Sequence, residues 1–199
     1  AGPSFAREVI RELPTAVTIA CPDPEVARRL QRVFSTETFR VYATEDLVGV
    51  QLAGALKNVI AIGAGASDGL GFGSNARAAL ITRAIAEITR LGVAKGANPR
   101  SFAGLAGIGD LVLTCTGDLS RNRSVGLRIA EGKRVEEIEA STGMVAEGIR
   151  TARSAFELSK KMHVEMPIAE QVYRILHEKK DPAQAVRDLM GRELKAEED

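Results

Sequence analysis

The chain comprises 199 residues, 45% of them hydrophobic and 27% charged, with a formal net charge of +1. That length can bury one sizeable core or two small ones, and the near-neutral charge argues against nucleic acid or an anionic membrane surface as the main partner. Aromatics make up only 4% and Trp is absent, which favours close helix packing over stacking platforms for bases.

The residues show no N-terminal signal pattern and no apolar run expected to span a bilayer. Cys21 and Cys115 stand far apart, with no metal-ligand spacing to His163 or His177. They read as reduced thiols of a cytoplasmic protein, with no metal centre expected.

From the start of the chain, Ser4 is placed to cap a short helix over Phe5 to Leu13 that Pro14 stops. Ala16 to Ala20 reads as a buried strand. Asp23-Pro24 then opens a helix through Phe34, and Phe39 to Ala43 alternates as a second strand. This unit is too small to be stable alone and is expected to be one edge of a larger α/β sheet.

After Thr44 the pattern becomes helical. From Asp46 to Ile62, Val48, Leu52, Leu56, Val59 and Ile60 recur at helical spacing, with Lys57 among them. The residues one turn from Lys57 are small (Ala53, Gly54, Ala61), leaving room for a ligand or another backbone. A lysine snorkelling to solvent fits the same pattern. Gly63 to Ser74 misses the G-x-G-x-x-G spacing and is expected to be a flexible loop between helices.

Ser74 is the expected cap of a helix through Leu91 that Gly92 ends, with Arg77 opposing the helix dipole in the first turn. Asn98-Pro99 starts a short helix. Further helices are expected over Val125 to Ala130, Val135 to Ala140, Glu147 to Met162, from Pro167, and from Asp181-Pro182 to Met190. A turn at Gly143 and a charged tail from Arg192 complete the chain.

The most informative stretch is Gly104 to Arg123, GLAGIGDLVLTCTGDLSRNR. Its glycines permit close backbone approach. Asp110 precedes the apolar run Leu111-Val112-Leu113, the hydroxyls of Thr114 and Thr116 follow, and Ser120-Arg121-Asn122-Arg123 is a dense donor set. Such donors at a helix start suit an anion, although an ordinary solvated cap would look the same locally.

Several motifs occur together: Gly2-Pro3-Ser4-Phe5-Ala6, Gly54-Ala55-Leu56-Lys57-Asn58, Gly71-Phe72-Gly73-Ser74-Asn75-Ala76-Arg77, Gly109-Asp110-Leu111, Ser120-Arg121-Asn122-Arg123 and Val145-Ala146-Glu147-Gly148. In order and spacing the chain resembles NAD(P)-dependent sn-glycerol-3-phosphate dehydrogenase of the bacterial type. The resemblance implies a mainly α chain: the end of a Rossmann domain over 1–45, then an all-helical substrate domain over 46–199. The G-x-G-x-x-G loop of that family is not in this sequence, so the main NAD or NADP site is expected to be missing and the chain alone inactive.

By position, the resemblance makes Lys57 the general acid/base, with Asp110 and Thr114 orienting it. Gly2, Ser4, Asn58, Ser120, Arg121 and Asn122, together with Lys57 and Asp110, become the substrate set. Ala6, Arg121, Val145 and Glu147 fall on the cofactor side. It also implies a homodimer, no metal, and a place in glycerophospholipid synthesis through sn-glycerol 3-phosphate and dihydroxyacetone phosphate. Two alternatives stand beside it. A two-domain dehydrogenase of the 6-phosphogluconate or 2-hydroxyacid type would share a helical Lys-Asn pair but not the Asp110…Ser120-Arg121-Asn122 set. A non-catalytic helical dimerisation module would have no need to keep Lys57, Asp110 and Arg121 together.

Overall fold

The computed structural model describes residues 1–142, 146–194 and 196–197. Val145 and the expected turn at Gly143 lie outside the described residues. At the start, Ser4 does not cap: its hydroxyl donates to the Gly2 carbonyl at 3.0 Å. Phe5 is the N-cap instead, and α1 is short, Ala6–Ile10. Glu12, at φ 56, turns the chain away before Pro14 is reached.

The strand–helix–strand unit forms as its local signals require. β1 (Thr15–Ala20) and β2 (Phe39–Thr44) pair in parallel, with Val17 opposite Val41. α2 (Pro24–Phe34) makes the crossover, and the Asp23 carboxylate accepts the N–H groups of Glu25 at 2.8 Å and Val26 at 3.2 Å. Among the described residues the sheet has only these two strands. Large apolar side chains on α2 stay exposed, Val33 at 67% and Phe34 at 55%.

α3 (Leu47–Gly69) is the axis of the helical part. Asp46 accepts from Gly49 N at 2.9 Å with one oxygen, and from Asn98 N (2.9 Å) and Ser101 Oγ (2.6 Å) with the other. The helix start is thereby tied to the 3₁₀ turn Pro99–Ala103. The expected loop over Gly63 to Ser74 is wrong: α3 continues through Gly63 and Gly65 to Gly69. The cause is tertiary. α6 (Arg121–Ala130) crosses α3 backbone to backbone. A Cβ on Gly65 would lie 2.0 Å from the Arg123 carbonyl oxygen, and one on Gly126 would lie 2.0 Å from that of Ile62. This contact offsets the intrinsic cost of helical glycine, about 1 kcal/mol each.

α3 is also long and apolar enough to cross a membrane by length and composition, contrary to expectation from the sequence. It is instead largely buried: Val59, Ile60, Ala61 and Ile62 are at most 1% exposed, packed against the surrounding helices.

α4 (Gly73–Ala94) starts from Phe72, not Ser74, which makes no capping bond. Arg77 is not a stray charge against the dipole. It pairs with Asp68 at 3.0 Å, at the end of α3, and Asp68 also takes Arg123 at 2.8 Å. Gly92 does not end the helix; a Cβ there would lie 2.1 Å from the Phe102 ring, so Gly92 makes room for that buried side chain. Gly96, at φ 84, takes the terminating left-handed position.

The chain continues through a π-helical turn, Leu105–Gly109, into α5 (Asp110–Thr116) and then α6. α7 (Val135–Thr142), α8 (Glu147–Lys161), α9 (Pro167–His177) and α10 (Pro182–Met190) complete it. On α8, Ile149 and Ala152 are buried as expected, while Phe156 is half-buried and stacks on Tyr173 at 4.2 Å.

Because α3 and α6 touch through backbone, Gly126→Ala should cost about 3 kcal/mol or more of unfolding free energy, at the upper end of overpacking effects. A Cβ on Gly54 meets nothing within 4 Å. Gly54→Ala should therefore be neutral, or stabilising by up to about 1 kcal/mol. Denaturant melts of both variants check the pair; equal destabilisation would contradict this account.

Glu87 is 1% exposed and caps α9 from α4, accepting Ile168 N at 2.8 Å and Ala169 N at 3.3 Å. Burial pushes its carboxyl from 4.5 to about 7, against the opposing pull of those hydrogen bonds. Because the folded value is raised, folding favours the acid form. Its contribution to stability is complete below pH 4.5 and is lost as pH rises through about 7. Glu87→Gln, which carries no titrating proton, should flatten the stability profile across that window. Thermal melts at pH 4.5 and pH 8 measure it, and unchanged slopes would count against it.

Candidate active site

Four separate parts of the chain meet at one cleft of about 180 Å³. α3 brings Lys57 and Asn58. α5 brings Asp110, Leu113 and Thr114, which share a face at i, i+3 and i+4. The start of α6 brings Ser120, Arg121 and Asn122, and the N-terminal segment brings Gly2, Ser4 and Phe5. The π-helical turn sets where α5 begins. A Cβ on Gly107 would lie 2.1 Å from the Phe102 carbonyl oxygen, so only glycine lets the turn pack this closely before Asp110.

Lys57 does not snorkel. Its Nζ donates to Asp110 Oδ2 at 2.6 Å, across 53 residues of sequence, with the lysine side chain 22% exposed and the aspartate 5%. Asp110 Oδ2 also accepts Gly2 N at 3.3 Å. Thr114 Oγ1 donates to the Asp110 carbonyl at 2.6 Å and approaches its Oδ1 at 3.3 Å. The carboxylate is thus held from three sides and holds the ammonium in turn. Gly2 reaches this place at φ 134, where a Cβ would lie 3.0 Å from Val17 Cα. A glycine is required there.

Asp110 balances the charge of Lys57, and Arg121 is a second cationic side chain lining the cleft. Arg121 lies on the first turn of α6, whose dipole presents its positive end to the same space. Ser120 Oγ accepts Arg123 N at 3.2 Å, so its cap role holds. Arg123, however, leaves the expected anion set. Its guanidinium turns to Asp68 at 2.8 Å and Asp118 at 3.2 Å. Thr116 is also outside the cleft, donating to the Val112 carbonyl at 2.8 Å.

The expected cofactor-side residues are less gathered. Glu147 lies beside the cleft and accepts from Asn58 Nδ2 at 3.4 Å. Ala6 is exposed at the start of α1, outside the cleft lining, and Val145 is outside the described residues. Among the described residues no strand–glycine turn–helix exists to cradle a pyrophosphate, because Gly63 and Gly65 are inside α3. What is present fits at most one edge of a dinucleotide. Phe5, Leu113 and Leu119 also line the cleft, and sequence reasoning passed over them. Only the helical face shared with Asp110 could have pointed to Leu113.

Cys115, next to Thr114 on α5, is fully buried, and burial pushes its thiol up to about 12, with nearby Asp68 adding to the effect. It is an inert packing group.

Comparison with known proteins gives the family. A family model described as NAD-dependent glycerol-3-phosphate dehydrogenase C-terminus matches residues 46–187. The glycerol-3-phosphate dehydrogenase [NAD(P)+] of Citrifermentans bemidjiense is 64% identical over 196 residues, 98% of this chain and 58% of that protein. The crystal structure of the glycerol-3-phosphate dehydrogenase of Coxiella burnetii superposes with a TM-score of 0.93 at 46% identity, covering 96% of this chain and 59% of that one. The yeast enzyme from Saccharomyces cerevisiae superposes with a TM-score of 0.86 at 30% identity, over 96% of this chain and 58% of its own. The chain therefore spans under two thirds of the length of these relatives, and over that span it belongs to the NAD-dependent glycerol-3-phosphate dehydrogenase family, in its C-terminal part.

Proposed function

We propose that this chain forms the substrate-binding and proton-transferring part of a dehydrogenase that interconverts sn-glycerol 3-phosphate and dihydroxyacetone phosphate. The observation that carries the reading is the Lys57–Asp110 pair opening on a cleft that the anion-suited start of α6 also lines. NAD or NADP, when bound, supplies the hydride acceptor or donor. This chain's own residues do the rest. As the neutral amine, Lys57 takes the proton of the substrate hydroxyl during oxidation and becomes the ammonium that Asp110 holds; as that ammonium it gives the proton back during reduction. Asp110, fixed by Thr114 and Gly2, keeps the lysine aimed. Arg121, Asn122 and Ser120 hold the phosphate, with Arg121 offering a planar fork, and Gly2, Ser4 and Asn58 complete the substrate wall.

The same reading divides the chain into the end of a nucleotide-binding unit over 1–45 and a substrate domain over 46–199. Ala6, Arg121, Val145 and Glu147 belong to the nicotinamide side. The exposed Val33 and Phe34 of α2 support a larger sheet unit packed there, and a cytoplasmic homodimer belongs to the same reading. The non-catalytic alternative has less support: a module without chemistry gains nothing from burying a lysine–aspartate pair at a polar cleft.

The test is a chimera in which the N-terminal portion of the Citrifermentans bemidjiense relative, the part this chain does not span, is joined to Ala1. It should reduce NAD(P)+ on addition of sn-glycerol 3-phosphate, while this chain alone should give no turnover and no micromolar NADH affinity by calorimetry. Failure of a folded chimera to turn over, or tight NADH binding by the chain alone, would overturn the reading.

A further inference from the structure

Two amides line the cleft, Asn58 and Asn122, each 8% exposed. A carboxamide has a donor end and an acceptor end, and which one meets a ligand depends on what the other end is bonded to. Both amides are engaged from behind by the first turn of α8. Gly148 N donates to Asn122 Oδ1 at 3.0 Å. An N–H only donates, so the atom facing it is the oxygen. Glu147 Oε2 lies 3.4 Å from Asn58 Nδ2. A carboxylate only accepts, so the atom facing it is the nitrogen.

Gly148 also stands where no other residue fits. A Cβ there would lie 2.7 Å from both Asn122 Oδ1 and the backbone carbonyl oxygen of Asn58, and 2.8 Å from Ile62 Cδ1. Its N–H belongs to the first turn of α8, where no intrahelical acceptor exists, so Asn122 caps α8 from a different helix.

We propose that Glu147-Gly148 is a positioning element that fixes the two amides in opposite senses, so that Asn122 presents its amino end and Asn58 its carbonyl end to the ligand. This rests on the substrate reading above and deepens it. Next to Arg121, the amino end of Asn122 meets an anionic oxygen. Next to Lys57, the carbonyl end of Asn58 accepts from a ligand hydroxyl. The cleft thereby selects a small ligand with a phosphate at the α6 wall and a hydroxyl at the α3 wall. A diester lacking the hydroxyl, or a cation at the phosphate position, is rejected.

Three measurements test the orientation. In the chimera, Asn122→Asp keeps the acceptor for Gly148 but turns a carboxylate oxygen toward the phosphate. Its KM for sn-glycerol 3-phosphate should exceed that of Asn122→Ala by about tenfold or more, since an unmatched charge costs more than a missing donor. A KM at or below that of Asn122→Ala overturns the proposal. Asn58→Asp sets two carboxylates against each other and should raise KM, and adding Glu147→Gln should recover about tenfold or more, because the new amide donates where the carboxylate repelled. No recovery overturns the role of Glu147.

The third measurement needs no turnover. Exchange of the Gly148 amide proton in this chain should be protected in wild type and in Asn122→Asp, and faster by about tenfold or more in Asn122→Ala. Equal protection in all three, or loss in both variants, overturns the lock. If the chimera shows no activity while the exchange pattern holds, it is the substrate reading that has failed and the amide orientation that stands.

Discussion

Lys57→Ala in the chimera is expected to lower kcat by about two to four orders of magnitude, the usual worth of a positioned acid/base. KM for sn-glycerol 3-phosphate should change little. The reason is local. Lys57 Nζ, held 2.6 Å from Asp110 Oδ2, is the group placed to exchange a proton with the reacting oxygen, whereas phosphate binding belongs to the α6 wall. The substitution also leaves Asp110 buried without its cation. Gly2 N and Thr114 Oγ1 remain as hydrogen-bond donors to that residue, so the fold should survive with a stability loss of about 3 kcal/mol or less. A thermal melt separates the two effects, and a small primary amine added to Lys57→Ala should restore part of the rate. A near-normal rate in a folded Lys57→Ala protein would remove the lysine from the chemistry.

Arg121→Ala should act mainly on KM, raising it about 10- to 100-fold, the worth of a charge-assisted contact. Some loss in kcat is also expected, because phosphate binding positions the reacting carbon. Arg121→Lys should recover only part of the loss, since a point charge cannot reproduce the guanidinium fork. Glycerol, which lacks the phosphate, provides the control: its slow turnover should fall much less than that of glycerol 3-phosphate in Arg121→Ala, any residual loss reporting the nicotinamide side. If Arg121→Ala slows glycerol as much as glycerol 3-phosphate, the phosphate assignment is wrong.

These two residues illustrate how unevenly the site was legible. Lys57 by itself was ambiguous, because a helical lysine among small residues reads equally as a ligand site or as a snorkelling chain. Its partner lies 53 residues away, at the start of a different helix, and no local spacing connects them. The resemblance to a family picked out both positions, but the ion pair was a matter of how α3 and α5 pack. Arg123 shows the opposite outcome. Its place in Ser120-Arg121-Asn122-Arg123 suggested an anion ligand, and its partner Asp68, at the end of α3, draws its guanidinium out of that set.

What the sequence alone determined was whatever depends on neighbours in the chain. The Asp23 and Asp181 caps act on N–H groups two or three residues on, and both form as expected; Ser120 caps α6 in the same local way. The β1–α2–β2 unit follows from β-branched runs separated by a capped helix. Ser4 and Ser74 failed as caps because nearby backbone geometry placed Phe5 and Phe72 at those positions instead. Tertiary structure decided what depends on contacts across the fold. Gly63 and Gly65 are poor helix residues in isolation and signalled a loop, yet both lie inside α3: Gly65 because only a residue without a side chain lets the α6 backbone approach there, and Gly63 packed against Val172 of α9. The cleft has the same origin: α3, α5, α6 and the N-terminal segment each contribute one wall, and it exists only where their packing brings those walls together.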